Sequence, residues 1–257
     1  MEIILLVKSN ILLYNLIMLL PNEEIFDLEC HGLKIIQSNK GYAFTTDAVL
    51  LANVVKAYRN ETIVELGSGS AVISLLLSKK TPAKEIIGIE LQKRLYDMSM
   101  RSIELNELSD RVRIINCNMK EAHLHLAKSV DVVCVNPPYM EYDGETDSAT
   151  EIDICKREVF ITLREVVECA SRILKYGGRF YLIVKAERLT DLIDAMRENK
   201  IEPKTLIPVQ PTLKKDIDTI IVEGRKNGNN GIKIRKPLVI CNEDGSYTKE
   251  VGEMYRK

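Results

Sequence analysis

Val64-Glu65-Leu66-Gly67-Ser68-Gly69-Ser70-Ala71 is the stretch on which the reading of this chain turns. It closes a short β-branched run, Thr62–Leu66, and opens an apolar helical pattern over Ala71–Lys80. Gly67 and Gly69 let the backbone turn sharply there and bring helix N–H groups against a ligand. A dinucleotide fingerprint, G-x-G-x-x-G/A, would need a small residue where Val72 stands, and an acid at Glu65 would crowd a pyrophosphate. A nicotinamide dinucleotide is therefore disfavoured.

A carboxylate two residues before the first glycine suits a cationic ligand that lacks phosphates, such as S-adenosylmethionine with its sulfonium and ammonium groups. The next strand, Ile86–Glu90, ends in a second carboxylate one βαβ step downstream, where Glu90 can accept from both ribose hydroxyls. Further strands are expected at Val112–Asn116, Val130–Val135, Arg179–Val184 and Thr219–Glu223. Helices are expected over Gln92–Asn106, Arg157–Leu174 and Arg188–Asn199, with Gly177-Gly178 stopping the second of these. This alternation predicts an α/β fold with a parallel sheet covered on both faces and ligands at the carboxyl ends of its strands.

The fourth strand discharges into Asn136-Pro137-Pro138-Tyr139. Two prolines fix the backbone and remove its donors, leaving a rigid row of acceptors suited to an amino group.

Glu65–Ala71, Glu90 and Asn136–Tyr139, in this order and spacing, resemble the class I S-adenosylmethionine-dependent methyltransferases of the Asn-Pro-Pro-Tyr subgroup, which act on planar amino or amide nitrogens. Gly32-Leu-Lys-Ile-Ile-Gln37, Phe44-Thr-Thr-Asp-Ala-Val-Leu-Leu-Ala52 and the ending Pro237-Leu…Asp244-Gly-Ser-Tyr-Thr248 extend the resemblance to the bacterial family of tRNA-Val (adenine-37) N6-methyltransferases, over roughly residues 21–257. The resemblance implies a Rossmann-like fold, a mostly parallel seven-stranded sheet with helices on both faces. It implies that Asn136 and the Pro137 carbonyl accept the amino hydrogens of the target base, while Tyr139 stacks on it. It places S-adenosylmethionine against Phe44, Thr45, Asp47, Glu65, Gly67, Ser68, Gly69, Glu90, Leu91, Asn118, Met119 and Asn136. A competing reading of Phe44–Ala52 is an amphipathic helix capped by Thr46 or Asp47. Two departures stand out: Asn118 replaces the usual aspartate after the third strand, keeping an acceptor but losing its charge, and Ala71 replaces a third glycine.

Adenine in RNA is the favoured target, above all adenine 37 of tRNA-Val; guanine N2 in ribosomal RNA and a protein glutamine amide remain alternatives. A non-catalytic RNA-binding protein on the same fold is the reading from another class. The chain has 36 Lys+Arg against 37 Asp+Glu, so RNA binding requires a local patch. Lys214, Lys215, Arg225, Lys226, Lys233, Arg235 and Lys236 are the candidate phosphate contacts. Six cysteines without a CxxC pair suggest free thiols in a reducing cytoplasm, and no metal site is expected from His123 and His125. Residues 1–20 read as an apolar leader, interrupted by Lys8 and Asn15, with translation expected to start at Met18 and no membrane span or obligate protein partner implied. The remaining divisions are a cap over the cofactor pocket (21–60), the methyltransferase core (61–224) and a basic C-terminal extension (225–257).

Overall fold

Runs of Val, Ile and Leu too apolar to face water on either side build the centre of the molecule. The computed structural model describes residues 19–39, 45–138, 150 and 160–256. Residues 1–18 of the leader, Met18 among them, lie outside these. A hairpin, β1 (Glu23–Asp27) and β2 (Lys34–Ser38), precedes α1 (Thr46–Val54), β3 (Thr62–Leu66), α2 (Val72–Lys80), β4 (Glu85–Glu90), α3 (Lys93–Leu105) and β5 (Val112–Asn116). A 3-10 turn (Met119–Glu121) and the short α4 (Ala122–His125) lead to β6 (Val130–Val135), then α5 (Leu163–Ile173), β7 (Leu174–Lys185) and α6 (Leu189–Glu198). β8 (Ile201–Gln210), β9 (Thr219–Lys226), the two-residue strands β10 (Lys233–Ile234) and β11 (Leu238–Val239), and α7 (Lys249–Arg256) complete the order.

Among the described residues seven long strands form the sheet in the order β5-β4-β3-β6-β7-β9-β8, and β10 and β11 pair alongside β8. Only β9 runs against its neighbours; β3 to β7 pair in parallel, and because β8 is antiparallel to β9 it runs with the rest. One edge of the sheet therefore collects the carboxyl ends of β3 to β8. Alternation along β6 shows how both faces fill: Val132 and Cys134 join the layer of α1, α2 and α7, whereas Val133 and Val135 join that of α5 and α6. The seven-stranded, mostly parallel Rossmann-like expectation is met.

Several local expectations are corrected. Gly177-Gly178 do not stop a helix; α5 ends at Ile173, and the glycines lie in β7, where residues 175–178 bulge against Asp131 between the Val130 and Val132 pairings. Gly178 has no room for a side chain, since a Cβ there would approach the Leu174 side chain to 2.9 Å. α5 begins at Leu163, where Thr162 and Glu165 close a capping box. β8 gives no strand signal in the sequence because Pro203 and Pro208 interrupt it, yet both sit where the strand tolerates them beside a register shift and two short outer partners. α1 is not amphipathic: Ala48 to Ala52 are all buried, and its N-cap is Thr45, whose side chain makes no capping hydrogen bond.

Candidate functional site

At the strand ends a cleft of about 960 Å³ opens between the loops after β3, β4, β5 and β6. Its floor is the glycine turn. Gly67 and Gly69 hold φ of +71° and +53°, and the N–H groups of Gly67 and Ser68 donate to the Ile89 carbonyl at 2.9 Å each. Ala71 also stands at φ +66°, in the left-handed region that costs a non-glycine residue about 1–2 kcal/mol. Its fully buried methyl returns about 0.8 kcal/mol, which offsets part of that cost where alanine stands in place of the third glycine.

Ser68 is buried and lines the cleft, and its Oγ has no hydrogen-bond partner among the described residues. A buried hydroxyl left in this way is costly unless a ligand completes it. It sits this deep because Gly88 on β4 leaves room: a Cβ on Gly88 would lie 2.8 Å from Ser68 Oγ and 2.5 Å from Ile114 Cδ1. Gly88→Ala is expected to destabilise the protein by about 1–3 kcal/mol in urea unfolding and to weaken cofactor binding with it.

Glu65, 2% exposed on β3, accepts a hydrogen bond from the Ser74 hydroxyl of α2. Burial pushes its carboxyl up to about 8 against the pull of that hydroxyl, and the nearby Glu90 charge adds to the rise. The folded state therefore holds a proton that the unfolded chain loses near the ordinary value of 4.5. Stability of the ligand-free protein should fall as pH rises from about 5 towards 8, then level off. Thermal unfolding across that range tests this; Glu65→Gln should flatten the slope, and an unchanged slope would exclude Glu65 as its source.

Glu90, at the end of β4, accepts from Gly69 N and Gln92 N, each at 2.7 Å, and lines the same cleft. Asn118 caps the turn after β5 by accepting from Lys120 N at 3.0 Å, and Met119 and the exposed Leu91 line the opening beside it. Asn136 and Pro138, both half-buried, line it from the end of β6, whereas Pro137 is buried. The structure thus gathers Glu65, Gly67, Ser68, Gly69, Glu90, Leu91, Asn118, Met119 and Asn136 around one hollow.

Phe44 and Tyr139 lie outside the described residues. Thr45 and Asp47 stand at the start of α1 without lining the cleft, which their neighbour Ala48 does. Phe160 and Ile161 also line it, in addition to the residues that the sequence singles out. Their only sequence signal is an aromatic and a β-branched residue directly ahead of the Thr162–Glu165 capping box.

The basic candidates divide. Lys214 and Lys215 are exposed in the loop after β8, on the cleft's edge of the sheet, and Lys214 pairs with Glu243 at 2.7 Å. Lys233, Arg235 and Lys236 are exposed along the stretch that runs beside β8 towards that edge. Arg225 and Lys226 sit at the far end of β9, on the opposite edge. There Arg225 donates to the Gly177 carbonyl at 3.0 Å, and Lys226 donates to Ser171 Oγ and to the Asn199 carbonyl, with burial lowering its basicity. Both have structural partners remote from the cleft.

The family described as the methyltransferase small domain matches residues 38–199. A tRNA1(Val) (adenine(37)-N6)-methyltransferase of Flavobacterium johnsoniae is 24% identical over 213 residues, covering 82% of this chain and 90% of that protein. Among solved structures, one described as a predicted O-methyltransferase of Agrobacterium tumefaciens superposes with a TM-score of 0.66 at 19% identity, covering 82% of this chain and 96% of the other. A geranyl diphosphate C-methyltransferase of Streptomyces coelicolor A3(2), solved with S-adenosyl-L-homocysteine, gives a TM-score of 0.50 at 15% identity, covering 70% and 74%.

Proposed function

The chain belongs to the methyltransferase small domain family and is an S-adenosylmethionine-dependent methyltransferase, and on that premise we propose that it methylates N6 of an adenine in RNA, with adenine 37 of a tRNA-Val as its target. The observation that carries this reading is the lining of one cleft by Asn136 and Pro138 from β6 together with Glu65, the glycine turn and Glu90. The Glu90 carboxylate suits a cationic cofactor, whose charge would also draw the proton from Glu65, and an amide oxygen ahead of two prolines suits an amino group.

When bound, S-adenosylmethionine supplies an electrophilic methyl on its sulfonium. Ser68 Oγ, left without a partner, and the glycine turn, which has no side chains at Gly67 and Gly69 to fill it, fit that ligand. Glu90 would hold its ribose, and Asn118 would offer an amide oxygen to its adenine. The Asn136 side-chain oxygen and the Pro137 carbonyl accept the two N6 hydrogens of the target, drawing the nitrogen lone pair out of conjugation and towards the methyl. Tyr139 stacks on the base. No general base is needed, because the nitrogen that gains the methyl becomes acidic and sheds its proton to solvent.

The named relative is a tRNA1(Val) adenine-37 enzyme, and this supports the finer target. An anticodon loop already presents unpaired bases, which lowers the cost of exposing one. Lys214, Lys215, Lys233, Arg235 and Lys236 would meet phosphates on the cleft's edge of the sheet. Residues 21–60 are read as a cap on the cofactor pocket, 61–224 as the catalytic core and 225–257 as an extension bearing on RNA. The protein works in the cytoplasm on this reading; among the described residues no helix is long and apolar enough to cross a membrane. Mass spectrometry of nucleosides from isolated tRNA-Val of cells lacking the gene tests it: loss of N6-methyladenosine is expected, and an unchanged level would refute the assigned target.

A further inference from the structure

Within the ending Asp244-Gly-Ser-Tyr-Thr248, four of the five residues have an evident structural task. Asp244 accepts from Ser246 N at 2.9 Å and from its hydroxyl at 2.6 Å, and Gly245 takes φ +85° to complete the turn. Thr248 Oγ1 donates to the Val239 carbonyl at 2.8 Å, and its own carbonyl accepts from Gly252 N in the first turn of α7. Tyr247 differs in bracing the turn through its backbone alone, bridging Cys241 and accepting from Asn242 Nδ2 at 3.2 Å; the residue is 46% exposed and its ring stacks on Tyr255, with centroids 5.1 Å apart and planes 22° from parallel. The two hydroxyls lie 3.2 Å apart. The turn and the last turn of α7 therefore hold an aromatic pair at the surface.

That pair borders a hollow of about 850 Å³, separate from the catalytic cleft, which Lys249 and Arg256 also line. Neither cation forms a salt bridge among the described residues. Glu29 and Glu253 line it as well, so the hollow carries no net charge and its grip must come from stacking more than from attraction. Its position is tied to the cleft. α7 docks on α1 through Asn53 Nδ2 and on the end of α2 through Lys80 Nζ, which donate to the Met254 carbonyl at 3.1 and 2.6 Å, and Tyr255 contacts Thr46 at the start of α1, two residues from cleft-lining Ala48.

We propose that the Tyr247–Tyr255 pair is a second nucleotide subsite, which stacks an unpaired base of the RNA near the methylated adenine while Lys249 and Arg256 meet its phosphates. This rests on the RNA reading of the catalytic cleft and adds to it a part of the protein outside the catalytic core. A stacked base is sequence-tolerant, so the subsite contributes affinity and position rather than recognition of a particular sequence.

Binding of a labelled anticodon stem-loop RNA to the full chain, with methyl transfer to bulk tRNA alongside, tests the proposal on Tyr247→Ala and Tyr247→Phe. Tyr247→Ala is expected to weaken RNA binding and raise the KM for RNA by about tenfold, with kcat, cofactor affinity and melting temperature close to the parent's. Tyr247→Phe should keep the parent's affinity, because the ring and not the hydroxyl carries the contact. RNA affinity unchanged in Tyr247→Ala, with the parent active, overturns the subsite and leaves the catalytic reading standing. Loss of cofactor affinity and thermal stability in Tyr247→Ala without a change in RNA KM also overturns it, since the tyrosine would then only brace α1. A parent that methylates no RNA overturns both readings.

Discussion

Asn136→Ala is expected to reduce methyl transfer by about 10²–10³-fold while leaving the dissociation constant for S-adenosylmethionine close to the parent's, the size of effect seen when one preorganised polar contact to a reacting group is removed. The residue follows Val135 at the end of β6, a strand buried on both faces, so little freedom remains in where the side chain starts. Pro137 and Pro138 restrict the backbone on its other side, and the side chain shares a cleft with Glu65 and Glu90. An acceptor held in this way acts on the lone pair of the target nitrogen, an interaction that strengthens as the methyl moves. On the proposed reading most of the cofactor contact would come from the glycine turn, Glu90 and the Asn118 turn, which alanine at 136 leaves intact. The discriminating measurement is the split between single-turnover rate at saturating RNA and cofactor affinity by calorimetry. A variant with full rate would remove Asn136 from the chemistry, and one with equal losses in rate and cofactor affinity would make it a cofactor contact only.

Much of the sheet was legible because its central strands have no other use for their residues. Thr62–Leu66 and Val130–Val135 begin and end where the β-branched runs do, since a strand covered on both faces is mostly apolar, and the edge strand Val112–Asn116 matches its run through alternation instead, with Arg113 and Asn116 exposed. The cleft was legible for a related reason: a carboxylate or glycine at the end of such a run stands out against it. What escaped was decided by tertiary context. β8 carries Pro203 and Pro208, which local rules count against a strand, and it forms because β9 and the short β10 and β11 pair along it. α1 gives no amphipathic signal because α2 and α7 cover what would have been its wet side. Arg225 and Lys226 resembled Lys214 and Lys215 in sequence, yet one strand's length separates the pairs across the sheet, and only register could reveal it. Phe160 and Ile161 reach the cleft only because the turn that starts α5 is held beside the one after β5, where Lys120 pairs with Glu165 at 2.7 Å.

Glu90→Ala should weaken S-adenosylmethionine binding by about 10²–10⁴-fold, since two charge-assisted hydrogen bonds at roughly 1.5–3 kcal/mol each are removed together. In the ligand-free protein its Oε2 already accepts from Gly69 N and its Oε1 from Gln92 N. One carboxylate thus fixes the glycine turn after β3 against the start of α3. Removing it frees two backbone donors at the cleft wall and loosens the turn that holds Gly67 and Ser68, so affinity falls for both reasons. Glu90→Gln separates them. The amide keeps one acceptor oxygen and replaces the other with a donor, which cannot satisfy both Gly69 N and Gln92 N, so an intermediate loss is expected with a small drop in stability. Calorimetric titration with S-adenosylmethionine and with S-adenosylhomocysteine provides the check. Because the ribose is common to both ligands, the two affinities should fall by the same factor. A loss confined to S-adenosylmethionine would mean that Glu90 answers to the sulfonium charge and not to the sugar, and the ribose assignment would have to be given up.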